Sequence, residues 1–253
     1  MISERTFARS FPGFWVDLLP LLTPRLVHLI NVGFRKALKD DEGMPIEPIP
    51  KNPMTRDAAV ISEFAFFLAK ISIQKKESIT NISKENEYLE IALKSALDVV
   101  TKYEKGNLHL SLPLLSEEKE EGIAIAHNYS RFFKEICRNQ PIEFSPKIPG
   151  SGFLAECKAD ISVGSTLFEV KTVVRNLAGK DIRQLVVYLA LQNATGIGRW
   201  EKAGFFNPRK SIYHEFHVAD IIQQMAGGKP TPDVFQELID FVARRDVQFD
   251  AAF

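Results

Sequence analysis

The 253-residue chain has little of several features that would narrow its function at once. Its two cysteines, Cys137 and Cys157, are too few for a disulfide framework or for a four-cysteine metal or iron–sulfur site. It has no excess of either charge, because 32 Lys and Arg balance 32 Asp and Glu. A nucleic acid would therefore have to be held by a local basic patch, which argues against a protein that coats DNA non-specifically.

The sequence also lacks an uninterrupted apolar run of about 18 residues, the length that a membrane-spanning helix needs. Its first residues, MISERTFARSFPGFW, lack the basic start and the apolar run of a signal peptide. We therefore expect a cytoplasmic protein that does not enter the membrane and keeps both cysteines reduced. With 45% hydrophobic residues, the chain can bury a full core.

The pattern of the chain changes near residue 115. Before it, apolar residues recur three and four positions apart, which is typical of amphipathic helices. Strand patterns follow residue 140 in PIEFSPKI, FLAECKADISV and TLFEVKTVV, then a buried helix in DIRQLVVYLALQNA and further strands in KAGFFN and SIYHEFH. We predict a helical N-terminal domain of unknown role over residues 1–115 and a second domain over residues 116–253. The predicted fold class is α/β (α+β), a mixed central sheet flanked by helices and preceded by an all-helical domain.

The stretch ADISVGSTLFEVKT, residues 159–172, gathers several charges around a short turn. The Gly-Ser pair at its centre suits a two-residue hairpin loop, which would place Asp160 opposite Glu169 and Lys158 opposite Lys171. Side chains that face each other across an antiparallel pair have their roots about 4.5 to 5.5 Å apart. The sequence therefore predicts two carboxylates directed at one point, with lysines beside them.

Two like charges directly opposite each other destabilise a sheet unless a shared proton or a bound cation offsets them. Carboxylate oxygens suit Mg²⁺ or Mn²⁺, which keep water and substrate phosphate oxygens as their other ligands. A neighbouring lysine can hold a phosphate group or stabilise charge that develops in the transition state. These parts favour phosphodiester hydrolysis, and the alternative is a solvent-facing hairpin whose carboxylates pair with lysines.

The helix predicted after the hairpin carries a glutamine and a tyrosine four positions apart, on one face. Together with the hairpin charges, this QxxxY pattern resembles the PD-(D/E)xK nuclease superfamily, in particular its RecB-type branch. The residues that carry the resemblance are Asp160, Glu169, Lys171, Gln184 and Tyr188. The resemblance covers about residues 116–218. Ala159 stands where the family name has proline, and two cysteines cannot form the iron–sulfur cluster of some RecB-type proteins.

The resemblance implies a restriction-endonuclease-like core and a nuclease that depends on a divalent metal, Mg²⁺ or Mn²⁺. Asp160 and Glu169 would bind the metal, with the Val170 carbonyl as a further ligand. Lys171 would be the catalytic lysine. The glutamine and the tyrosine of the QxxxY pattern would orient the site or contact the substrate.

Other residues enter as secondary candidates. The family also uses an acidic residue, sometimes with a histidine, from the helix before the strands, and the candidates here are Glu118, Glu121 and His127. Basic side chains in the connectors could contact backbone phosphates without reading sequence, and these are Arg175, Arg183, Arg209 and Lys210. Glu156 could be a further ligand or a salt-bridge partner.

The predicted function is a Mg²⁺-dependent deoxyribonuclease that cuts endonucleolytically and acts as an effector in defence against phage or in DNA restriction or repair. RNA stays open as a substrate, and exonucleolytic cleavage stays open as the mode. The expected partners are DNA and either further copies of the chain or a partner protein of a larger system. The alternative is a non-catalytic nucleic-acid-binding or scaffold subunit that keeps the nuclease fold.

Overall fold

The computed structural model describes residues 1–53, 55–103 and 114–244. In these ranges helices and a mixed sheet occur together, which confirms the α/β class. The ten helices are α1 (Glu4–Arg9), α2 (Pro12–Leu18), α3 (Pro24–Gly33), α4 (Ala58–Lys75), α5 (Ile79–Ile82), α6 (Asn86–Tyr103), α7 (Ser116–Ile136), α8 (Gly179–Asn193), α9 (Val218–Met225) and α10 (Thr231–Ala243). None of the helices in these ranges is both long and apolar enough to cross a membrane.

Eight strands alternate with these helices in the described ranges. They are β1 (Arg35–Ala37), β2 (Ile142–Phe144), β3 (Lys147–Ile148), β4 (Cys157–Lys158), β5 (Ile161–Val163), β6 (Thr166–Val170), β7 (Lys202–Asn207) and β8 (Ile212–His217). Six of them form one sheet in the order β1-β8-β7-β6-β5-β2, and β3 pairs with β4 in a separate sheet.

The larger sheet is mixed because one of its pairs is parallel. Strands β6 and β7 run in parallel, while the other neighbouring strands of this sheet are antiparallel. A parallel pair needs a crossover connection, and α8 supplies it. The β5–β6 hairpin has the register that the Gly-Ser turn predicts, with Val163 opposite Thr166 and Ile161 opposite Phe168.

The prediction that residues 1–115 are all helical is wrong, because a strand lies among them. Strand β1 lies at the edge of the larger sheet, with Arg35 opposite His214. The sequence gives no strand pattern there because the strand has only three residues, two of them exposed. Residues 245–253, the end of the second predicted domain, lie outside the described part of the chain.

Helices cover both faces of the sheet and form two hydrophobic clusters. The first cluster joins α1, α2 and α3 to α8, α9 and α10, with Phe7, Trp15 and Tyr188 among its buried residues. The second joins α4 to α7 and includes Phe64 and Phe132. Each cluster contains residues from both sides of the boundary predicted at residue 115.

The predicted pairing of Lys158 with Lys171 is wrong. Lys158 lies opposite Lys147 in the small β3–β4 sheet. The chain leaves the hairpin ladder at Asp160, whose backbone carbonyl accepts a hydrogen bond from the Ser145 N–H at 2.8 Å. The β5–β6 pairing ends at Ile161, and Cys157 and Lys158 pair with β3 instead.

Candidate active site

The carboxyl end of β6 brings Glu169 and Lys171 together. Glu169 is 1% exposed, and its Oε1 accepts a hydrogen bond from Lys171 Nζ at 2.8 Å. Its second oxygen, Oε2, is buried without a hydrogen-bond partner among the described residues. A buried carboxylate oxygen that lacks a donor is costly unless another group meets it. This oxygen is therefore a buried acceptor whose hydrogen-bonding capacity is unused.

Asp160 lies immediately before β5 and approaches the same point by a different route from the one predicted. Its Oδ2 accepts a hydrogen bond from the Val170 N–H at 2.7 Å. The side chain therefore contacts the β6 backbone, whereas the prediction placed it opposite the Glu169 side chain. Burial raises the pKa of Asp160 well above its usual range, and the Glu169 charge adds to this, while Lys171 and Arg5 oppose it. The two carboxylates are thus close enough to repel each other.

Helix α8 holds the amino group of Lys171. Gln184 Oε1 accepts a hydrogen bond from Lys171 Nζ at 2.9 Å, and Asp181 Oδ1 lies 4.0 Å from the same nitrogen. Burial would raise the pKa of Asp181, but hydrogen bonds from Arg175 and the Ala178 N–H outweigh it and lower the pKa. Asp181 is thus a charged neighbour of the site that the sequence analysis did not single out.

Gln184 and Tyr188 both contact an acidic residue at the other end of the chain. Gln184 Nε2 donates to Glu4 Oε1 at 3.3 Å and to Tyr188 Oη at 2.9 Å, and the Tyr188 hydroxyl donates to Glu4 Oε1 at 3.2 Å. With its oxygen toward Lys171 and its nitrogen toward Glu4, the Gln184 amide satisfies an ammonium group and a carboxylate at once. The QxxxY pair therefore connects α1 to the catalytic lysine candidate.

The charges of the site act on two further residues, Arg5 and Glu63, and neither is among the predicted site residues. Burial would lower the pKa of Arg5, but the charges of Glu169, Asp160, Tyr188 and Glu4 together outweigh it and raise the pKa. Burial raises the pKa of Glu63 on α4, with Arg5 opposing this and Glu169 adding to it. The one available signal was a glutamate within the apolar run AVISEFAFFLA of α4.

The acidic candidates on α7 are not part of this site. Glu118 pairs with Arg56 at 2.6 Å, and that contact lowers the pKa of Glu118 to about 2. Glu121 pairs with Arg209 at 2.5 Å. Burial raises the pKa of Tyr129 on α7 well above its usual range, and the charge of Asp160 adds to this. Glu121 precedes Tyr129 by about two turns, which is roughly 12 Å along a helix axis.

His127, the histidine candidate, also lies elsewhere. It lines a surface cavity together with Lys76 and Lys134, and burial lowers its pKa. The α7 residue on which the Asp160 charge acts is therefore Tyr129, and not the predicted acid or histidine. Glu156, the remaining acidic candidate, is exposed.

The four basic candidates differ in their surroundings. Arg209 is 3% exposed and faces Glu121, so the prediction that it contacts phosphate is wrong. Arg183 is half-buried, with its guanidinium 5.7 Å from the centre of the Trp15 ring. Arg175 holds Asp181 through two hydrogen bonds of 2.5 and 2.9 Å, and Lys210 Nζ donates to Asn176 at 2.8 Å. Arg175, Arg183 and Lys210 as substrate contacts stay predictions.

No protein-family model matches the chain, and no curated protein matches it. Function must therefore be inferred from the geometry of the site.

The two carboxylates suit a hard divalent cation. Among the described residues no group of three or more His, Cys, Asp and Glu side chains is arranged to hold a metal. A Mg²⁺ ion nevertheless needs only one or two protein carboxylates, because water and substrate oxygens complete its octahedron. Glu169 Oε2 is a buried acceptor without a donor, and its repulsion with Asp160 would be relieved by a cation. The residues present therefore fit such an ion, and the Val170 carbonyl as a third ligand stays a prediction.

Proposed function

We propose that this protein is a Mg²⁺-dependent deoxyribonuclease of the PD-(D/E)xK type. The observation that carries the proposal is the buried Glu169, which has one oxygen bonded to Lys171 and the other without a donor, beside the repelled carboxylate of Asp160. Paired carboxylates with a positioned lysine are the parts that metal-assisted phosphodiester hydrolysis needs. Mn²⁺ has similar ligand preferences and is expected to replace Mg²⁺.

Each residue has a distinct task in this proposal. When bound, the cation supplies a Lewis acid and an activated water, and Asp160 and Glu169 provide its carboxylate ligands. Lys171 Nζ has three donors and uses two of them on Glu169 and Gln184. The third donor is left for a phosphate oxygen, where it would stabilise the negative charge of the transition state.

The connectivity of the sheet supports a restriction-endonuclease-like core. Helix α7 precedes β2, β5 and β6, α8 crosses over, and β7 follows in parallel with β6. This is the order of helix, three strands, helix and strand that the family resemblance implies. The small β3–β4 sheet is an addition between β2 and β5.

Substrate and setting belong to the same proposal. DNA is the substrate to which the resemblance leads, and cleavage inside the strand is the expected mode. We place the activity in the cytoplasm, in defence against phage or in DNA restriction or repair, with a second copy of the chain or a partner protein. These assignments rest on analogy with the family.

A second candidate is a scaffold or nucleic-acid-binding subunit without catalysis. It is favoured by one observation, which is that Lys171 already pairs with Glu169 at 2.8 Å. In that case the carboxylates and cations would form a structural network, and the protein would bind nucleic acid without cutting it.

The test is cleavage of linear and circular DNA by the purified protein with Mg²⁺, Mn²⁺ or EDTA. Glu169→Gln and Lys171→Met are the site variants, and Glu215→Gln is the matched control, because Glu215 pairs with Lys36 and Lys202 on another part of the sheet. We expect metal-dependent nicking of the circle that both site variants lose and the control keeps. A parallel RNA substrate separates the two nucleic acids.

Absence of cleavage by the folded wild-type protein on both nucleic acids, with or without metal, would contradict catalysis by this chain alone. Retained binding of DNA under the same conditions would favour the scaffold role. Cleavage that survives in Glu169→Gln would show that the β6 carboxylate is not the metal ligand.

A further inference from the structure

We infer that Asp181 is a positioning residue, which holds the Arg175 guanidinium beside Lys171 so that both cations face the phosphate backbone of the substrate. This role rests on the proposed function, since it concerns the substrate side of the same site. It gives a task to a buried carboxylate that is not one of the proposed metal ligands.

Asp181 lies in the first turn of α8 and is 4% exposed. Its Oδ2 accepts hydrogen bonds from Arg175 Nη1 at 2.5 Å and from the Ala178 N–H at 2.8 Å. Its Oδ1 accepts from Arg175 Nη2 at 2.9 Å. Two parallel hydrogen bonds between a guanidinium and a carboxylate fix both their distance and their orientation. The buried carboxylate therefore determines where the Arg175 guanidinium lies.

Lys171 meets the same carboxylate from the other side. Its Nζ lies 4.0 Å from Asp181 Oδ1, the oxygen that also accepts from Arg175 Nη2. A separation of 4.0 Å is an ion-pair contact and is too long for a hydrogen bond, so the ammonium group keeps its third donor. The two cations would repel each other without the negative charge between them. Asp181 therefore keeps Arg175 and Lys171 side by side.

The backbone that carries Arg175 is anchored before and after this residue. Asn207 Nδ2 donates to the Val173 carbonyl at 2.7 Å. The Leu177 N–H donates to Asn31 Oδ1 at 3.0 Å, and the Leu177 carbonyl accepts from Asn31 Nδ2 at 3.1 Å. Arg175 lies between these two anchors, so its side chain starts from a defined position although it is on the surface.

Arg175 keeps donors for a substrate. A guanidinium has five N–H donors, and within the described residues Arg175 uses two of them on Asp181 and one on the Asn176 carbonyl. The Nε donor and one Nη2 donor remain, on a side chain that is 42% exposed. Arginine donors of this kind bind phosphate oxygens. Together with the third donor of Lys171, they fit the phosphate backbone of a nucleic acid.

The experiment measures the binding of a labelled double-stranded DNA in EDTA by fluorescence anisotropy over a range of salt concentrations, with an RNA of the same sequence in parallel. The variants are Arg175→Met, Asp181→Asn and the double variant. The single carbonyl oxygen of asparagine cannot serve the Ala178 N–H and both guanidinium nitrogens. Arg199→Met is the control, because Arg199 also pairs with a carboxylate, that of Glu143, but precedes β7 at the other end of the sheet.

Arg175→Met should weaken DNA binding roughly tenfold and should reduce the slope of log K against log salt by about one. In the Asp181→Asn background the same substitution should weaken binding by less than about threefold, because the guanidinium is no longer held toward the substrate. A role of Asp181 confined to capping α8 would not produce this coupling. Arg199→Met should match the wild type in affinity and in slope.

Urea unfolding of each sample ensures that binding is compared between folded proteins. If Asp181→Asn does not fold, Asp181→Ser replaces it, since a serine hydroxyl can still accept from the Ala178 N–H without carrying a charge.

Equal losses of affinity from Arg175→Met in the two backgrounds would overturn the role of Asp181. An unchanged salt slope for Arg175→Met would overturn the phosphate contact, and so would a folded wild type that binds neither nucleic acid. DNA cleavage does not enter these measurements. A protein that shows the coupling without cutting DNA would contradict only the proposed catalysis, and one that cuts DNA without the coupling would contradict only the role of Asp181.

Discussion

Glu4 and Gln184 are 180 residues apart in the sequence, and their side chains are hydrogen-bonded at 3.3 Å. The same amide accepts a hydrogen bond from Lys171 at 2.9 Å. The Gln184 side chain therefore links Glu4 on α1 to Lys171 at the end of β6. This geometry gives the QxxxY pair a physical role, because it fixes which way the ammonium group of Lys171 points.

Gln184→Leu should lower both stability and activity. The substitution removes a donor from the buried Glu4 and an acceptor from Lys171. Buried groups that lose their partners cost about 1 to 3 kcal/mol, and a misplaced lysine should slow DNA cleavage about 10 to 100-fold. Urea unfolding and cleavage assays on the same samples measure the two effects.

Two matched variants separate the link from general packing of α8. Gln192→Leu changes a glutamine two turns further along the helix, where the side chain contacts Thr195. It should leave cleavage unchanged. Tyr188→Phe removes only one hydroxyl and should have a smaller effect than Gln184→Leu. Normal cleavage by a folded Gln184→Leu protein would show that Lys171 is positioned without the amide.

The sequence was sufficient for those parts of the site that local rules determine. A Gly-Ser turn sets the β5–β6 register. Counting residues outward from that turn was enough to predict that Glu169 lies near Asp160. The positions of Gln184 and Tyr188 on one helix face followed from the helical period. Both are properties of neighbouring residues, which a single sequence contains.

The other parts depend on contacts between distant segments. Nothing in the first residues of the chain indicates that α1 packs on α8, so Glu4 and Arg5 could not be found from the sequence. The sequence predicts an exposed charge at Arg209, because its buried partner Glu121 lies in a distant segment of the chain. At Asp160 the β5–β6 ladder gives way to a side-chain contact, because the Val170 N–H donates to Asp160 Oδ2, and no local pattern predicts that contact.

Asp160→Asn should stabilise the protein at neutral pH in EDTA. The native pKa of Asp160 is raised above its usual 3.8, by burial first and by Glu169 next. At a pH between the unfolded pKa and the raised native pKa, the Asp160 carboxyl group binds more protons in the native state than in the unfolded state. The contribution of Asp160 to the free energy of unfolding therefore falls as pH rises from about 4. The neutral amide of the variant does not titrate in this range. We therefore expect its free energy of unfolding to exceed that of the wild type by about 1 kcal/mol or more at pH 7.

Urea unfolding between pH 4 and pH 8 measures that effect. The wild type should lose stability relative to Asp160→Asn as pH increases, and the two curves should converge near pH 4. Asp98→Asn, at an exposed position on α6, is the control and should track the wild type. Parallel curves for wild type and Asp160→Asn would show that this carboxyl group titrates as in the unfolded chain.

Divalent metal should stabilise the native protein, because the proposed site exists only when the chain is folded. A free ion at 100 times its Kd adds about 2.7 kcal/mol to the free energy of unfolding. Thermal unfolding with Mg²⁺ or Mn²⁺, compared with EDTA, should therefore show an increase in Tm. Glu169→Gln should abolish that increase, whereas Glu143→Gln, at an exposed position on β2, should keep it. An equal increase in all three proteins would indicate binding elsewhere.

Arg209→Met and Lys210→Met should separate stability from nucleic-acid binding. Arg209 is buried against Glu121, and Thr55 donates to the same carboxylate, so Arg209→Met leaves a buried charge and should cost about 3 to 5 kcal/mol. The folded fraction of that variant should bind DNA as the wild type does. Lys210 is half-buried with its ammonium group on Asn176, and Lys210→Met should leave stability nearly unchanged.

If Lys210 contacts a phosphate, DNA affinity should fall and the slope of log K against log salt should shrink by about one. Fluorescence anisotropy over a range of salt concentrations, with unfolding curves of the same preparations, measures both quantities. An unchanged salt slope for Lys210→Met would remove Lys210 from the nucleic-acid interface. A reduced slope for Arg209→Met would reinstate Arg209, which its burial against Glu121 argues against.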